Sequence, residues 1–425
     1  MEKVKYLILG AGPAGLTFAN MLKRKGEDSF LVLEKEREAG GLCRSALVDG
    51  SPLDIGGGHF LDVKRPKVCE FLFSFMPEEE WALFDRDSRI DLKSAVVGHP
   101  LEANIWQFPL EEQVAYLSSI AKAGCNSKEP MPERFVEWII WKLGRKIADD
   151  YMLPYNQKMF ADELDELGIY WLDKLPDVSF EDTLRSCLAR KPYGTQPGHA
   201  SFYYPKKFGY GEVWKRMAKA VSPNVRYGCH VTEIICLPDG TRQSAADKRM
   251  DAMAGGQQKA VKTQDGRVFK AENIITTIPW ASYSQIEGMP GELFSSVKSL
   301  KSSAIEVRYV PKNLDTKAHW LYVPDLQIPY HRILVRHNFC GGSKGYWTET
   351  RAERTGMFSP EDESCRYLNP YAYPLNTMGK PETVKALLEY CEKQGIYGLG
   401  RWGEHSHFNS DVVVERAMEL AERMI

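Results

Sequence analysis

The chain has 425 residues, room for two or three domains at about 150 residues each, and its 43% hydrophobic and 26% charged residues exclude disordered and collagen-like classes. Lys+Arg 55 against Asp+Glu 57 leaves a formal charge of -2, so no global basic field argues for nucleic acid as a partner. No apolar run reaches about 18 residues, no cleavage region follows the apolar start, and nine scattered cysteines lack CxxC or metal-like spacing; the expectation is a soluble cytoplasmic protein with reduced thiols, no membrane span and no metal.

Lys5–Leu9 is an apolar strand, Gly10-Ala11-Gly12-Pro13-Ala14-Gly15 a glycine turn, Leu16–Lys25 a helix, and Phe30–Leu33 a second strand ending at Glu34. Strand, glycine turn, helix, strand and acid is the order a dinucleotide site requires. Gly10 permits the tight turn, Gly12 lets backbone approach a pyrophosphate, and Gly15 lets the helix pack on the strand. The pyrophosphate is expected against the helix N-terminus, where unpaired N–H groups and the helix dipole favour negative charge. Glu34, about 20 residues past the glycines, can accept the adenosine ribose hydroxyls. Gly40-Gly41-Leu42 adds a second glycine pair, and Asp54-Ile55-Gly56-Gly57-Gly58-His59 a third turn. Three consecutive glycines are costly unless backbone must come close to something flat or strained.

From Val68 to about Thr183 the pattern is mostly helical. Leu110–Ala123 and Pro132–Met152 repeat apolar residues every three or four positions, and Trp138, Trp141 and Tyr151 read as core aromatics. Gly211–Ala220 reads as a helix and Val225–Leu237 as a strand pair. Arg242–Lys262 lacks periodicity and is expected to be an exposed, mobile insertion within a hairpin. The turn at Asp265-Gly266 and the run Glu272–Pro279 return the chain to its first domain. Ser303–Val310, Trp320–Val323 and His331–His337 alternate as antiparallel strands, and Gly395–Trp402 with a helix over Asp411–Met424 ends the chain.

The segment from Glu34 through Gly40-Gly41-Leu42-Cys43-Arg44-Ser45 resembles the extended signature of the FAD family of amine oxidases, protoporphyrinogen oxidases and UDP-galactopyranose mutases. The Gly56–His59 turn resembles the one that this family sets beside the isoalloxazine ring. Within the family, the chain is most similar to the eukaryotic-type UDP-galactopyranose mutases over nearly its full length. The anchors are Phe135–Ile140 through Gly144 to Pro154-Tyr155-Asn156-Gln157-Lys158, then Phe202–Pro205 with Gly209-Tyr210-Gly211 and Trp214. Trp320-Leu321-Tyr322 with Pro329-Tyr330-His331-Arg332 follows, then Tyr373-Pro374 with Thr377, and Gly400–Gly403.

This resemblance implies an α/β protein: a Rossmann-like FAD-binding domain (1–62, 205–290 and 385–425), an inserted, mainly helical substrate domain (63–185), and an antiparallel sheet domain (186–204 and 291–384). It implies FAD, in reduced form for activity, and a UDP-linked nucleotide-sugar substrate. The implied reaction is pyranose–furanose isomerisation through attack of reduced flavin N5 on the anomeric carbon, in polysaccharide biosynthesis. Implied cofactor contacts are Gly10, Gly12, Ala14, Gly15, Glu34, Lys35, Gly41, Leu42, Gly57, Gly58, His59, Val231, Arg401 and Asn409. Implied substrate contacts are Tyr155, Asn156, Lys174, Tyr322, Arg332, Tyr373 and His407, with His59, Arg332 and Lys174 serving the reaction. A guanidinium fork suits a diphosphate, and tyrosines add oriented donors and apolar walls. Arg401 is expected at the FAD pyrophosphate or at strand carbonyls near it.

Two positions depart from the family pattern. Lys174 stands where a second diphosphate-binding Arg is usual, and Lys keeps charge without the bidentate fork. His407 stands where a phosphate-binding Tyr is common. Plainer readings stay open beside these: a surface ion pair for Arg332, a core tyrosine at Tyr373, and a histidine satisfied within its own glycine turn at His59. At the level of function, an FAD oxidoreductase of the amine oxidase or protoporphyrinogen oxidase type and a non-catalytic flavin-binding protein stay open beside the mutase, because one scaffold hosts several chemistries.

Overall fold

The computed structural model describes residues 3–172, 177–194, 200–238, 257–358 and 365–425. Lys174 and residues 242–256 of the expected insertion lie outside the described residues.

The nucleus of the fold is β1 (Lys3–Leu9), α1 (Pro13–Arg24) and β2 (Phe30–Leu33). Leu7, Ile8 and Leu9 are fully buried, as befits a central strand covered on both faces. Burial of each such side chain contributes about 1.5–3 kcal/mol. Pro13 opens α1 where its missing N–H costs nothing, and Ala14 through Leu22 are buried against the sheet. β1 pairs in parallel with β2 on one side and with Val268–Thr276 on the other, inside an eight-stranded mixed sheet. Gln257–Thr263, the end of the expected insertion, is a strand of that sheet, paired antiparallel with Val231–Pro238 and Val268–Thr276. The helix over Ser410–Met424 packs beside α1 and closes this layer.

A seven-stranded sheet carries Ser302–Val310, Trp320–Tyr322, Arg332–Leu334, Tyr346–Arg351 and Arg366–Pro374. Its last two strands, Ser88–Asp91 and Val96–Gly98, come from the stretch expected to be mostly helical. A third strand of that stretch, Trp81–Asp85, pairs with Ser201–Pro205 in a three-stranded sheet. The helical expectation is corrected there: these short segments take their conformation from strand pairing, with distant partners for Trp81–Asp85 and Ser88–Asp91 and a hairpin neighbour for Val96–Gly98, rather than from local periodicity. The helix expected over Pro132–Met152 is also not continuous. It runs Phe135–Ile147 with a break at Gly144, where φ is 78° and a Cβ would meet the Ser119 carbonyl oxygen at 2.6 Å, and then widens over Ala148–Met152. The helix Lys380–Lys393, which periodicity did not reveal, crosses the expected domain boundary at 385.

Candidate cofactor and substrate cleft

The carboxyl ends of β1, β2 and Val268–Thr276 open onto a cleft of about 590 Å³, the place where parallel α/β sheets bind ligands. Gly10 turns the chain out of β1 with φ 103°, and Thr277 sits so close that a Cβ on Gly10 would meet its Oγ1 at 2.5 Å. Gly12 is different: a Cβ there would meet only the Gly41 Cα, at 3.8 Å. The protein leaves that direction free, over the first turn of a twelve-residue helix whose leading N–H groups lack intrahelical partners. Gly15 does the packing, since a Cβ on it would lie 2.0 Å from the Gly10 carbonyl oxygen. Glu34 is buried yet lines the cleft, and its carboxylate accepts the backbone N–H groups of Ala11 at 2.7 Å and Glu36 at 2.9 Å. Ala14, Lys35, Gly41, Leu42 and Val231 line the cleft as expected. An anion cradle at a helix end joined to a fixed carboxylate fits an adenine dinucleotide such as FAD.

The Gly56–Gly58 turn is packed closely by the protein itself. A Cβ on Gly56 would lie 1.8 Å from the Leu42 carbonyl oxygen, one on Gly57 2.8 Å from Glu349 Oε1, and one on Gly58 2.1 Å from Leu334 Cδ2. Backbone contact requires glycine at 56 and a positive φ favours it at 57, whereas at 58 only a leucine methyl would have to move; Gly57 and Gly58 are absent from the cleft lining. Their product is the placement of His59, which does line the cleft. Its Nδ1 is 3.0 Å from the Gly57 carbonyl oxygen, which can only accept, so Nδ1 carries the proton and Nε2 is bare. Burial, then the nearby Arg401 charge, lowers the His59 pKa to about 4, and the ring is neutral at pH 7.

Arg401 also lines the cleft. It donates to the carbonyl oxygens of Ala372, in the strand Arg366–Pro374, at 3.0 Å and of Phe408, in a loop, at 2.8 and 3.0 Å. Burial and the Arg332 charge both press on this guanidinium, lowering its pKa from the usual range.

Arg332 lies in the same electrostatic neighbourhood as Tyr155, Tyr322 and Tyr373, and His59 feels its charge. The Tyr155 ring is 5.3 Å from Tyr322 and 5.9 Å from His331; the Tyr373 ring is 4.8 Å from His407, which also faces Phe160 at 6.2 Å. Five of the expected substrate residues thus come together. The Arg332 guanidinium is nevertheless engaged: Nε and Nη2 donate to Glu349 Oε2, the former at 3.0 Å, and Nη2 is 3.4 Å from the Tyr373 hydroxyl. The ion-pair reading of Arg332 is therefore correct in kind, although the carboxylate is wholly buried and the guanidinium only partly exposed. Arg86 reaches the same cluster from the other side, donating to the Tyr322 hydroxyl at 2.9 Å and lying over Trp320.

Two expected contacts fall elsewhere. Asn156 is buried and donates to the Met152 carbonyl at 2.7 Å within its helix. Asn409 is exposed at the start of the last helix, outside the cleft lining that its neighbours Phe408 and Ser410 join. Residues that sequence reasoning missed include Thr277, Pro279 and Tyr371 in the cleft and Glu349 behind it. The first two follow a parallel strand at its carboxyl end, a positional signal that was available; Glu349 carries no local signal at all. Among the described residues no three His, Cys, Asp or Glu side chains gather as a metal site, and no helix is long and apolar enough to cross a membrane.

Residues 8–74 match the NAD(P)-binding Rossmann-like domain family. The crystal structure of reduced UDP-galactopyranose mutase superposes with a TM-score of 0.82 at 20% identity, covering 99% of this chain and 93% of that one. The chain has the UDP-galactopyranose mutase fold. A candidate protoporphyrinogen oxidase from Exiguobacterium sp. 255-15 (TM-score 0.68, 13% identity, 99% and 98% covered) shares it more loosely. So does putrescine oxidase bound to putrescine (0.62, 14%, 99% and 99%). Two curated relatives match in part. An uncharacterized protein of Methanothermococcus thermolithotrophicus is 47% identical over 53 residues, 12% of this chain and 50% of that one. Hydrogen cyanide synthase subunit HcnB of Pseudomonas protegens is 33% identical over 132 residues, 30% and 26% respectively. The chain spans half or less of the length of these curated relatives.

Proposed function

We propose that this chain is an FAD-dependent nucleotide-sugar mutase that interconverts the pyranose and furanose forms of a sugar carried on a diphosphate, UDP-galactose being the first candidate. The observation that carries the reading is the group of Arg332, Tyr155, Tyr322 and Tyr373, which lies outside the cleft lining itself but is tied through Glu349 to the turn that sets His59 in the cleft. A pocket for a small amine has no use for a guanidinium among tyrosine hydroxyls, whereas a diphosphate does.

In this reading the α1 N-terminus beside Gly12 holds the FAD pyrophosphate, and Glu34 holds the adenosine ribose. Reduced FAD supplies a nucleophilic nitrogen for the anomeric carbon. Arg332 and Tyr373 meet the departing diphosphate, with Lys174 as the second cation and His407 as a further donor. Burial keeps the Tyr155 and Tyr373 phenols protonated, so both can donate. Neutral His59 offers a bare Nε2 as an acceptor at the same end of the cleft. The aromatic walls of Tyr155, Tyr322 and Phe160 exclude water and favour a dry, oriented site.

Dithionite-reduced protein should isomerise UDP-galactopyranose without consuming stoichiometric reductant. Steady oxygen consumption with a small amine or a porphyrinogen, and no ring isomerisation with UDP-, dTDP- or GDP-sugars, would put the oxidoreductase reading in its place.

A further inference from the structure

We infer that Glu349 is the positioning residue of this site, holding the Arg332 guanidinium and the Gly57–His59 turn on a single carboxylate. The Arg332 half of the inference rests on the nucleotide-sugar reading, and the turn half only on FAD binding.

Glu349 lies on Tyr346–Arg351, directly across the antiparallel register from Arg332, and its side chain is wholly removed from solvent. The two carboxylate oxygens divide their work. Oε1 accepts the Gly58 N–H at 2.9 Å. Oε2 accepts Nε and Nη2 of Arg332, and His331 Nε2 stands 3.6 Å from it. The turn is shaped to admit this carboxylate, because Gly57 adopts φ 97° where a Cβ would crowd Oε1. Burial by itself would raise the Glu349 pKa, but Arg332, His331 and the Gly58 N–H bring it down to about 2, so the group is ionised throughout the working range.

A buried ion pair is weak evidence for stability, since apolar residues of similar volume often do as well. What the pair does provide is aim. A free arginine side chain carries rotamer entropy that a bound anion must remove. Here Nε and Nη2 are already committed, and Nη1 has no hydrogen-bond partner among the described residues. Nη1, together with the Tyr373 hydroxyl 3.4 Å from Nη2, is what Arg332 and its neighbour leave available to a phosphate oxygen. The same carboxylate fixes the peptide next to His59, so the phosphate end and the flavin end of the site share one anchor.

The test uses FAD-loaded protein, with UDP affinity by calorimetry and the visible absorption of bound FAD as two separate readouts. Glu349→Gln should weaken UDP about tenfold, and the double variant with Arg332→Met should bind UDP no more weakly than Arg332→Met alone, because Glu349 acts through Arg332. The flavin band should shift in Glu349→Gln and keep its wild-type shape in Arg332→Met, since only in the former does a single amide oxygen have to serve both the Gly58 N–H and Arg332. Additive losses in the double variant, or wild-type values of both readouts in Glu349→Gln, would overturn the inference. If wild-type protein fails to bind UDP, the nucleotide-sugar reading falls, and the flavin band alone decides the role of Glu349 at the turn. Should Glu349→Gln fail to fold with FAD, Glu349→Asp keeps the charge but cannot reach both partners. Wild-type UDP affinity together with an unshifted flavin band in that variant would equally overturn the inference.

Discussion

The carboxylate of Glu34 accepts the Ala11 N–H at 2.7 Å, so the acid that ends the second strand is tied to the glycine turn that follows the first. Glu34→Gln places an amide donor where two N–H groups converge. It should weaken FAD binding roughly ten- to hundredfold, the equivalent of about 1.5–3 kcal/mol for a hydrogen bond to a charged group. Titration of apoprotein with FAD, followed by quenching of flavin fluorescence, checks this. Wild-type protein that takes up no FAD at all would remove the premise.

Gly12 and Gly15 should respond oppositely to added bulk. Gly12→Val points into open space and should leave the melting temperature near wild type while abolishing FAD binding. Gly15→Ala drives a Cβ to 2.0 Å from the Gly10 carbonyl oxygen and should destabilise the fold. The cost is on the order of 1–3 kcal/mol, as for other overpacked positions. Thermal melts with and without FAD separate the two.

Arg332→Ala should weaken UDP-galactose by roughly ten- to hundredfold, more than Lys174→Ala, because a charge-assisted directional contact exceeds a point charge. Tyr373→Phe should cost only about 0.5–1.5 kcal/mol. FAD content should stay constant in all three, as measured by absorbance after gel filtration. Full nucleotide-sugar affinity in Arg332→Ala would end the mutase reading.

Protonation of His59 should be invisible near pH 6.5, its ordinary value, and appear near 4. The sign for stability follows. Between pH 6.5 and 4 the unfolded chain binds the proton and the folded chain does not, so stability falls as pH falls through that window and is level above it. Denaturant unfolding of wild type and His59→Asn from pH 4 to 7.5 should show a shallower acid slope in the variant.

The dinucleotide half of the site was legible in the sequence because its determinants are local. β1, the Gly10–Gly15 turn, α1, β2 and Glu34 lie within one short stretch, and each residue's task depends on neighbours a few positions away. The substrate half was legible only as a set of names. That Tyr155, Tyr322, Arg332, Tyr373 and His407 converge depends on the pairing of distant strands and on the helices packed over them. The strands at Trp81–Asp85 and Ser88–Asp91 escaped notice for the same reason: each is short, and its partner lies far along the chain, while the three-residue strand Val96–Gly98 is added to the second of them by a hairpin too short to show a period. The glycine triplet shows the limit most clearly, since its composition announced a close approach but could not say to what. Only the tertiary structure brings Leu42, Glu349 and Leu334 against Gly56, Gly57 and Gly58. Glu349 itself stands 17 residues from Arg332 in an unremarkable strand, and register across the sheet, which no local pattern encodes, makes it the partner of both the arginine and the turn.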